Sequence, residues 1–229
     1  MSHRFHGSVH GFFMISCITL KTAHYFRGNP IASMLQLRFR AVIERQEWDV
    51  PTWQNMEYDE FDNPATTYFV WRDGDDAVRG CARLYPTDRL YMLKKAFSFL
   101  VTDGTLPHND MTVWEGSRLC VEKDLPAPLR KRIIYELSVA YMEYAMSNGI
   151  SKIIGVMLPV YWRSVYMASG WDPFWYGNVT ALSTGERVRA GGLPVSEEMM
   201  QKVRRTTGIA ETILSYGDDD ESATGRMVA

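Results

Sequence analysis

The sequence has 229 residues, and its 25 lysines and arginines against 27 aspartates and glutamates give a formal net charge of −2. This length fits one domain, the balanced charge does not favour a nucleic-acid-binding protein, and no apolar run reaches the ~20 residues of a membrane helix. Three scattered cysteines without metal-ligand spacing, Cys17, Cys81 and Cys120, predict reduced thiols in a cytoplasmic protein.

The two ends of the chain differ in composition from its middle. Residues 1–13 are rich in histidine, glycine and serine and predict a disordered extension, so that either Met1 or Met14 is the true start. Residues 217–229 are acidic and then small, which predicts a disordered tail. Between them, residues 14–216 are expected to form a single domain.

Strand and helix patterns alternate through this domain. Strands are predicted at 15–20, 66–72, 77–84, 111–121, 153–158, 173–182 and 187–193. Helices are predicted at 29–43, from a cap at Asp124 to 148, at 161–168, and from a cap at Ser196 to 206. The order predicts an α/β fold, a three-layer α/β/α sandwich with a mixed central sheet.

Chemistry concentrates first in the run from Leu37 to Asp62. Cations, a tryptophan and three closely spaced carboxylates surround a short amphipathic helix, which suits a small zwitterion that also carries an aromatic ring. The residues are Arg38, Arg45, Trp48, Glu57, Asp59 and Asp62.

Two strand segments carry further charges. In GCARLYPT, residues 80–87, a buried Arg83 needs a carboxylate partner. In WEGSRLCV, residues 114–121, strand alternation places Glu115 and Arg118 on opposite faces. Both can serve one site only if a bulge occurs at Gly116, or if the strand lies between a cleft and the helices.

Together, these segments resemble the signature of the LuxI-type acyl-homoserine-lactone synthases, the bacterial autoinducer synthases. Val42 and Leu119 stand where that family has phenylalanine. The resemblance implies a fold like that of the GCN5-type N-acetyltransferases. It also implies an acyltransferase that moves an acyl group from a thioester to the amine of S-adenosylmethionine. Lactonisation with loss of 5′-methylthioadenosine would then yield a quorum-sensing signal.

The resemblance also implies roles for individual residues. Arg83 is expected to pair with Asp59 or Asp62 at the wall of the site, and Glu115 is the candidate base. The implied catalytic residues are Glu115, Arg83, Arg118 and Asp59. The implied S-adenosylmethionine site contains Arg38, Trp48, Asp59, Asp62, Phe97 and Arg118. The implied acyl pocket contains Trp114, Val156, Met157 and Trp162. No metal and no cofactor are expected, since S-adenosylmethionine is a substrate.

Several alternatives stay open at this stage. The donor is a thioester of acyl carrier protein (acyl-ACP) or of coenzyme A (acyl-CoA). The basic run at 130–132 suits an acidic carrier protein. The turn at 122–128 lacks the glycines that usually bind the coenzyme A pyrophosphate, but coenzyme A stays an alternative. Apolar Val156 and Met157 favour an unsubstituted acyl group, whereas the aromatic residues after them suit a branched or aryl group. Rival functions are a GCN5-type N-acyltransferase that acts on another amine and a non-catalytic binding protein. Neither nucleic acid nor a membrane is an expected partner.

Overall fold

The computed structural model describes residues 14–46, 50–102 and 104–218 of the chain. Its helices are α1 (Pro30–Arg38), α2 (Met92–Ala96), α3 (Ala127–Ser147), α4 (Pro159–Tyr161) and α5 (Glu197–Thr207). Its first strands are β1 (Ile15–Ile18), β2 (Thr52–Trp53), β3 (Met56–Glu57), β4 (Thr67–Arg72), β5 (Val78–Pro86) and β6 (Val113–Val121). The remaining strands are β7 (Lys152–Met157), β8 (Phe174–Trp175), β9 (Thr180–Ala181), β10 (Arg187–Pro194) and β11 (Leu214–Ser215).

The described strands form one large mixed sheet and a small hairpin. The sheet order is β11-β1-β4-β5-β6-β7-β10-β8, with β9 also paired to β10, while β2 pairs only with β3. The contacts β1–β11 and β6–β7 are parallel and the others antiparallel. The mixed sheet predicted from the alternation of elements is therefore confirmed.

Helices cover both faces of this sheet. On one face α3 packs over Phe69, Trp71, Ala82 and Leu84, and α5 packs beside α3 through Val203. On the other face α1 covers a cluster that includes Tyr68, Val70, Cys81 and Cys120, whereas α2 and its flanking loops cover a second cluster around Tyr85, Val113 and Ile154. The result is the predicted three-layer α/β/α sandwich, with a boundary between two apolar clusters on the α1 face.

Most predicted elements form, but the start of α3 was wrong. The helix begins at Ala127 with Pro126 as its N-cap residue, and Asp124 does not cap it. Proline disfavours helical backbone at the residue before it, so Pro126 keeps Leu125 out of the helix. The Ser196 cap of α5 is confirmed, since the Ser196 hydroxyl accepts a hydrogen bond from the Met199 backbone N–H at 3.1 Å.

Two further features bear on the predictions. The helical pattern through Ile43 is present, but α1 ends at Arg38 and the chain continues as a π-helical segment, Phe39–Glu44. At the other end β11 was not predicted, and Asp218, in the predicted tail, forms an ion pair with Arg72.

Residues 1–13 and 219–229 lie outside the described residues, so the domain boundaries stay a prediction. No helix among the described residues is long and apolar enough to cross a membrane.

Candidate active site

Six charged side chains meet on the α1 face of the sheet, at the boundary between the two apolar clusters. α1 and the β2–β3 hairpin supply two of them, the loop after β3 supplies two, and β5 and β6 supply the others. They form what we call the charge cluster: Arg38, Glu57, Asp59, Asp62, Arg83 and Arg118. Its three guanidinium groups balance its three carboxylates, which explains how so many charges can lie inside one fold.

The inner half of the charge cluster is built around Arg38. Its two Nη atoms donate to the two carboxylate oxygens of Asp62 at 2.7 and 2.8 Å, and its Nε donates to Glu57 Oε2 at 2.6 Å. Burial alone would raise the pKa of Asp62, but the hydrogen bond and charge of Arg38 and the charge of Arg83 outweigh it and hold that pKa well below its usual value. Asp62 is therefore a carboxylate at any physiological pH.

The outer half of the charge cluster is built around Asp59. Arg83 donates to both of its oxygens, at 2.6 and 3.0 Å, and Arg118 donates to Oδ2 at 2.8 Å. Arg118 also donates to Glu57 Oε1 at 2.8 Å, so Glu57 bridges the two halves. The ion pairs of Arg83 match the sequence expectation, because its Nη1 also lies 3.0 Å from Asp62 Oδ1.

A bulge in β6 brings Arg118 to this face. Cys81 pairs with Cys120, and Arg83 pairs with Ser117. Between these two pairs β5 advances by two residues and β6 by three, so both Arg118 and Leu119 lie opposite Ala82. The extra residue is accommodated at Arg118, whose backbone φ is +53°. This is a left-handed conformation that residues other than glycine rarely adopt. Ser117 can therefore contact Arg83 while its neighbour Arg118 contacts Asp59 on the same face. The sequence offered a bulge at Gly116 as one of two ways for Glu115 and Arg118 to serve one site. A bulge is present, but it lies at Arg118 and Leu119, so the position at Gly116 was wrong.

Glu115 lies beside the charge cluster and is held by backbone groups. Its Oε2 accepts the Met92 N–H at 2.8 Å and its Oε1 accepts the Leu93 N–H at 2.6 Å. Burial raises the pKa of Glu115 to about 7, while the two N–H groups and Arg83 lower it and Asp59 raises it. A carboxyl group with this pKa changes protonation near neutral pH, as a general base does.

Exposure divides the charge cluster into a closed floor and a more open rim. The side chains of Arg38 and Glu57 have no exposed surface, whereas Asp59 is 13% and Arg118 is 8% exposed. A ligand entering from solvent would meet Asp59 first, then Arg118 and Asp62, whose side chains are 8% and 7% exposed. Arg38 shows no surface through which it could touch a ligand in this form, so its assignment to the substrate stays a prediction.

A small cavity lies beside β6 and β7, next to the residues that follow Glu115 and Ile154, the last paired residues of the two strands. Its volume is about 10 Å³, room for about one water molecule. We call it the β6–β7 cavity; its lining consists of Gly116, Ile153, Ile154, Gly155, Val156, Met157, Trp162, Tyr166 and Leu193. Three of the four residues predicted for the acyl pocket line it, namely Val156, Met157 and Trp162.

The three remaining residues predicted for the acyl pocket or the S-adenosylmethionine site do not lie together. Trp114 does not line the cavity and instead packs against Tyr144 of α3, with ring centroids 5.9 Å apart. Phe97 is half-buried at the end of α2, in the apolar cluster that also contains Ile154. Trp48 lies outside the described residues.

Three contributors had no individual role predicted from the sequence, although Glu57 was one of the three carboxylates of the Leu37–Asp62 run. Glu57 is the central carboxylate of the charge cluster, the Tyr68 hydroxyl donates to Asp62 Oδ1 at 3.0 Å, and the Ser117 hydroxyl accepts from Arg83 Nε at 3.0 Å. The signal for Glu57 was present, since it opens the spacing Glu-x-Asp-x-Phe-Asp. Tyr68 and Ser117 are ordinary strand residues, and only tertiary pairing gives them a role.

The model of one protein family matches this chain over residues 24–203. Its description is autoinducer synthase, and the matched segment contains every member of the charge cluster and Glu115. The chain belongs to the autoinducer synthase family. The resemblance seen in the three sequence segments is therefore confirmed.

Curated relatives of this family member are named acyl-homoserine-lactone synthase. One from Aliivibrio fischeri is 34% identical over 125 residues, and one from Ralstonia solanacearum is 31% identical over 128 residues. Each alignment covers 54% of this chain, and the chain spans 64% and 63% of the length of these two relatives. A relative from Rhizobium radiobacter is 27% identical over 191 residues, which cover 81% of this chain and 89% of the relative.

Solved structures of similar proteins share the fold over more of the chain. MesI, described as a CoA-dependent acyl-homoserine lactone synthase, is 26% identical with a TM-score of 0.73, covering 89% of this chain and 100% of that one. BjaI, described in the same terms and solved with SAM and isopentyl-CoA, is 22% identical with a TM-score of 0.77, covering 89% and 92%. The autoinducer synthase fold, related to that of the GCN5-type N-acetyltransferases, is therefore shown for this chain.

Proposed function

We propose that this protein is an acyl-homoserine-lactone synthase. It would transfer an acyl group from a thioester to the amine of S-adenosylmethionine and then close the lactone, releasing 5′-methylthioadenosine. The observation that carries the proposal is the charge cluster, whose rim offers a carboxylate and a guanidinium side by side, next to a buried carboxyl group with a pKa of about 7. Membership of the autoinducer synthase family and the names of its relatives support the same activity.

The rim of the charge cluster suits the amino-acid part of S-adenosylmethionine. The carboxylate of Asp59 would attract the substrate ammonium and sulfonium, and the planar guanidinium of Arg118 would bind the substrate carboxylate. Arg38, Glu57 and Arg83 would act as positioning residues, because their contacts fix the orientation of Asp59 and Arg118. The aromatic rings of Phe97 and Trp48 are proposed to contact the adenine.

Acylation requires the ammonium to lose a proton before it attacks the thioester carbonyl. Glu115 is our proposed base, acting directly or through one water, because its pKa of about 7 leaves a large carboxylate fraction at neutral pH. The new amide N–C bond forms as the C–S bond breaks. In the second step the substrate carboxylate displaces 5′-methylthioadenosine from its own γ-carbon. That step is intramolecular, so holding the chain folded supplies much of the rate.

The acyl donor and the compartment complete the proposal. The donor is an acyl thioester, on coenzyme A or on acyl carrier protein. Its acyl group would bind along Val156, Met157 and Trp162, and the β6–β7 cavity that they line, with room for about one water molecule, would have to widen to hold it. BjaI and MesI are described as CoA-dependent, which supports including coenzyme A thioesters in any test. The free thiols of Cys17, Cys81 and Cys120 suit a cytoplasmic enzyme.

The proposal is tested with purified protein, S-adenosylmethionine and acyl thioesters of graded length on both carriers. We expect 5′-methylthioadenosine and an N-acyl-homoserine lactone in equal amounts, separated by liquid chromatography. A matched control is Asp59→Asn, which removes the rim carboxylate but keeps its shape. Release of free thiol that requires another added amine, without any methylthioadenosine, would instead indicate a GCN5-type N-acyltransferase. Absence of methylthioadenosine with every donor would contradict the proposal.

A further inference from the structure

Two of the three cysteines stand directly opposite each other beside the charge cluster. Cys81 of β5 pairs with Cys120 of β6 in the antiparallel ladder, both belong to the apolar cluster under α1, and their thiols hydrogen-bond to each other. Opposed residues of an antiparallel pair have Cα atoms about 4.5–5.5 Å apart, within the range of about 4.4–6.8 Å that disulfides span. The backbone therefore already has the separation that a disulfide needs. Cys17, the third cysteine, lies in the cluster on the α3 face.

The two thiols of this pair differ in how readily they lose a proton. The hydrogen bond from Cys81 lowers the pKa of Cys120, and the positive charges of two arginines, Arg38 and Arg118, lower it further. Burial and the charge of Glu57 oppose this shift without cancelling it. The pKa of Cys81 is raised, by its hydrogen bond to Cys120 and by burial. Because the thiolate is the nucleophile in thiol chemistry, Cys120 is the attacking sulfur of the pair.

The cysteine pair is also connected to the rim of the charge cluster. The bulge of β6 begins next to Cys120 and contains Arg118, whose backbone is left-handed. The Cys81 S–H also reaches the Arg118 carbonyl oxygen, which lies 3.6 Å from the sulfur. A disulfide has no S–H, so its formation removes this donor and joins β5 to β6 at one side of the bulge. The backbone that directs the Arg118 guanidinium towards Asp59 should shift as a result.

We propose that Cys81 and Cys120 form a reversible disulfide under oxidation by a peroxide, and that this disulfide weakens the binding of S-adenosylmethionine through Arg118. The Cys120 thiolate attacks one peroxide oxygen, the O–O bond breaks, and a sulfenic acid and one water form. The Cys81 sulfur then attacks the Cys120 sulfur, so that the S–S bond forms as the S–O bond breaks and a second water leaves. Two thiols are oxidised and one peroxide is reduced, and a low-molecular-weight thiol reverses the reaction.

This device fits a reducing compartment, where disulfides are usually transient and redox-sensing. The effect on the substrate rests on the proposed function, whereas formation of the disulfide does not. The two thiols are only 1% and 3% exposed, so we expect oxidation to be slow and take the redox equilibrium, not its rate, as the quantity to measure.

The first measurement identifies the product of oxidation. Reduced full-length protein is treated with hydrogen peroxide, remaining thiols are alkylated under denaturing conditions, and peptides are mapped by mass spectrometry without reduction. We expect a Cys81–Cys120 disulfide as the main cysteine product, and the same product in the control variant Cys17→Ser. The proposal is overturned if the main product is a sulfinic or sulfonic acid, or a disulfide that contains Cys17.

The second measurement tests the connection to Arg118. The Kd of S-adenosylmethionine is measured by calorimetry for the reduced and the oxidised protein, and the dithiol–disulfide equilibrium is measured in glutathione buffers with and without S-adenosylmethionine. Couplings between two sites are typically about 5–150-fold, and we expect the oxidised form to bind at least about fivefold more weakly. By linkage, saturating S-adenosylmethionine should shift the redox equilibrium towards the dithiol by the same factor.

The control variant for this second measurement is Cys120→Ala. Peroxide can also oxidise methionine, and the Met92 sulfur lies 3.9 Å from Arg118 Nη1, so the variant separates the two effects. Peroxide should leave its affinity for S-adenosylmethionine unchanged, and an equal loss in variant and wild type would overturn the proposal. Equal Kd values for reduced and oxidised wild type, or a redox equilibrium that S-adenosylmethionine does not shift, would overturn it as well. If Cys120→Ala does not fold, the reciprocal shift in the wild type decides alone. Reduced protein that does not bind S-adenosylmethionine would contradict the proposed function instead, and the peptide map would still test the disulfide.

Discussion

Arg38 is the residue whose burial most changes what a substitution should do. Truncating Arg38 removes three buried hydrogen bonds from Glu57 and Asp62 and leaves these carboxylates with Arg118 and Arg83 as their remaining cations. Breaking a buried ion pair typically costs about 3–5 kcal/mol of stability. We expect Arg38→Ala to lower the free energy of unfolding by about this amount in urea. Arg40→Ala is the matched control, because Arg40 is 41% exposed in its pair with Glu122 and such pairs contribute about 0–1 kcal/mol.

Arg118 belongs to the rim, and its substitution should act on substrate rather than on folding. In Arg118→Ala, Glu57 keeps its contact with Arg38, and Asp59 keeps its contacts with Arg83. We expect a smaller stability loss than for Arg38→Ala, together with a ~2–5 kcal/mol loss of S-adenosylmethionine binding measured by calorimetry. Unchanged affinity in a folded Arg118→Ala protein would remove Arg118 from the binding site.

Glu115 should control the pH dependence of acylation. Its pKa of about 7 means that the carboxylate fraction falls about tenfold for each pH unit below 7, and single-turnover acylation should fall with it. Glu115→Gln should slow the saturated acylation step by about 10²–10⁴-fold and remove this pH dependence. An unchanged single-turnover rate in the variant would exclude Glu115 as the base.

Protein stability offers a second measurement at Glu115. A folded-state pKa raised from the usual 4.5 to about 7 means that the fold favours the protonated carboxyl. That contribution is present below pH 4.5 and is lost as the pH rises through 7. The wild-type melting temperature should therefore fall between pH 6 and pH 8 by more than that of Glu115→Gln. The variant also replaces one acceptor of the Met92 and Leu93 N–H groups, so its absolute stability is not the relevant comparison.

At the scale of elements, the two parallel strands β6 and β7 approach closely at two glycines. A Cβ on Gly155 would lie 2.7 Å from the Gly116 carbonyl oxygen, too close for any rotamer to relieve. Gly155→Ala should therefore destabilise the protein by about 1–3 kcal/mol in urea and also lower its activity. Gly74→Ala is the control, since no atom lies within 4 Å of its added Cβ, and equal stability losses in both variants would contradict this account.

Local sequence signals predicted elements well where one residue sets the local structure, and less well where two strands must be compared. The Ser196 cap follows from a side chain that bonds the backbone of its own helix, and it forms as predicted. The bulge of β6 depends on the register against β5. The sequence offered a bulge as one of two alternatives and placed it at Gly116 instead of at Arg118. The two-residue strand β11 is defined by its pairing with β1, across almost the whole chain, and carries no pattern of its own.

At the scale of the whole molecule, the sequence predicted which charges matter better than it predicted their partners. The motif spacing identified five of the six members of the charge cluster as site residues. The family resemblance led us to expect that Arg83 pairs with Asp59 or Asp62, and it contacts both. The bridging position of Glu57 depends on α1, β3 and β6 meeting at one point of the fold. The site as a whole therefore depends on the sandwich, although its residue types could be read locally.

The central claim is that this chain makes an N-acyl-homoserine lactone, and mass spectrometry of organic extracts tests it most directly. The full chain and its Asp59→Asn variant are expressed in a bacterial host that makes no such lactone, and the extracts are compared. We predict one or more species that share the homoserine-lactone fragment in the wild-type extract and their loss in the variant extract. Wild-type extracts without any homoserine-lactone species, from cells that contain folded protein and both substrates, would contradict the account.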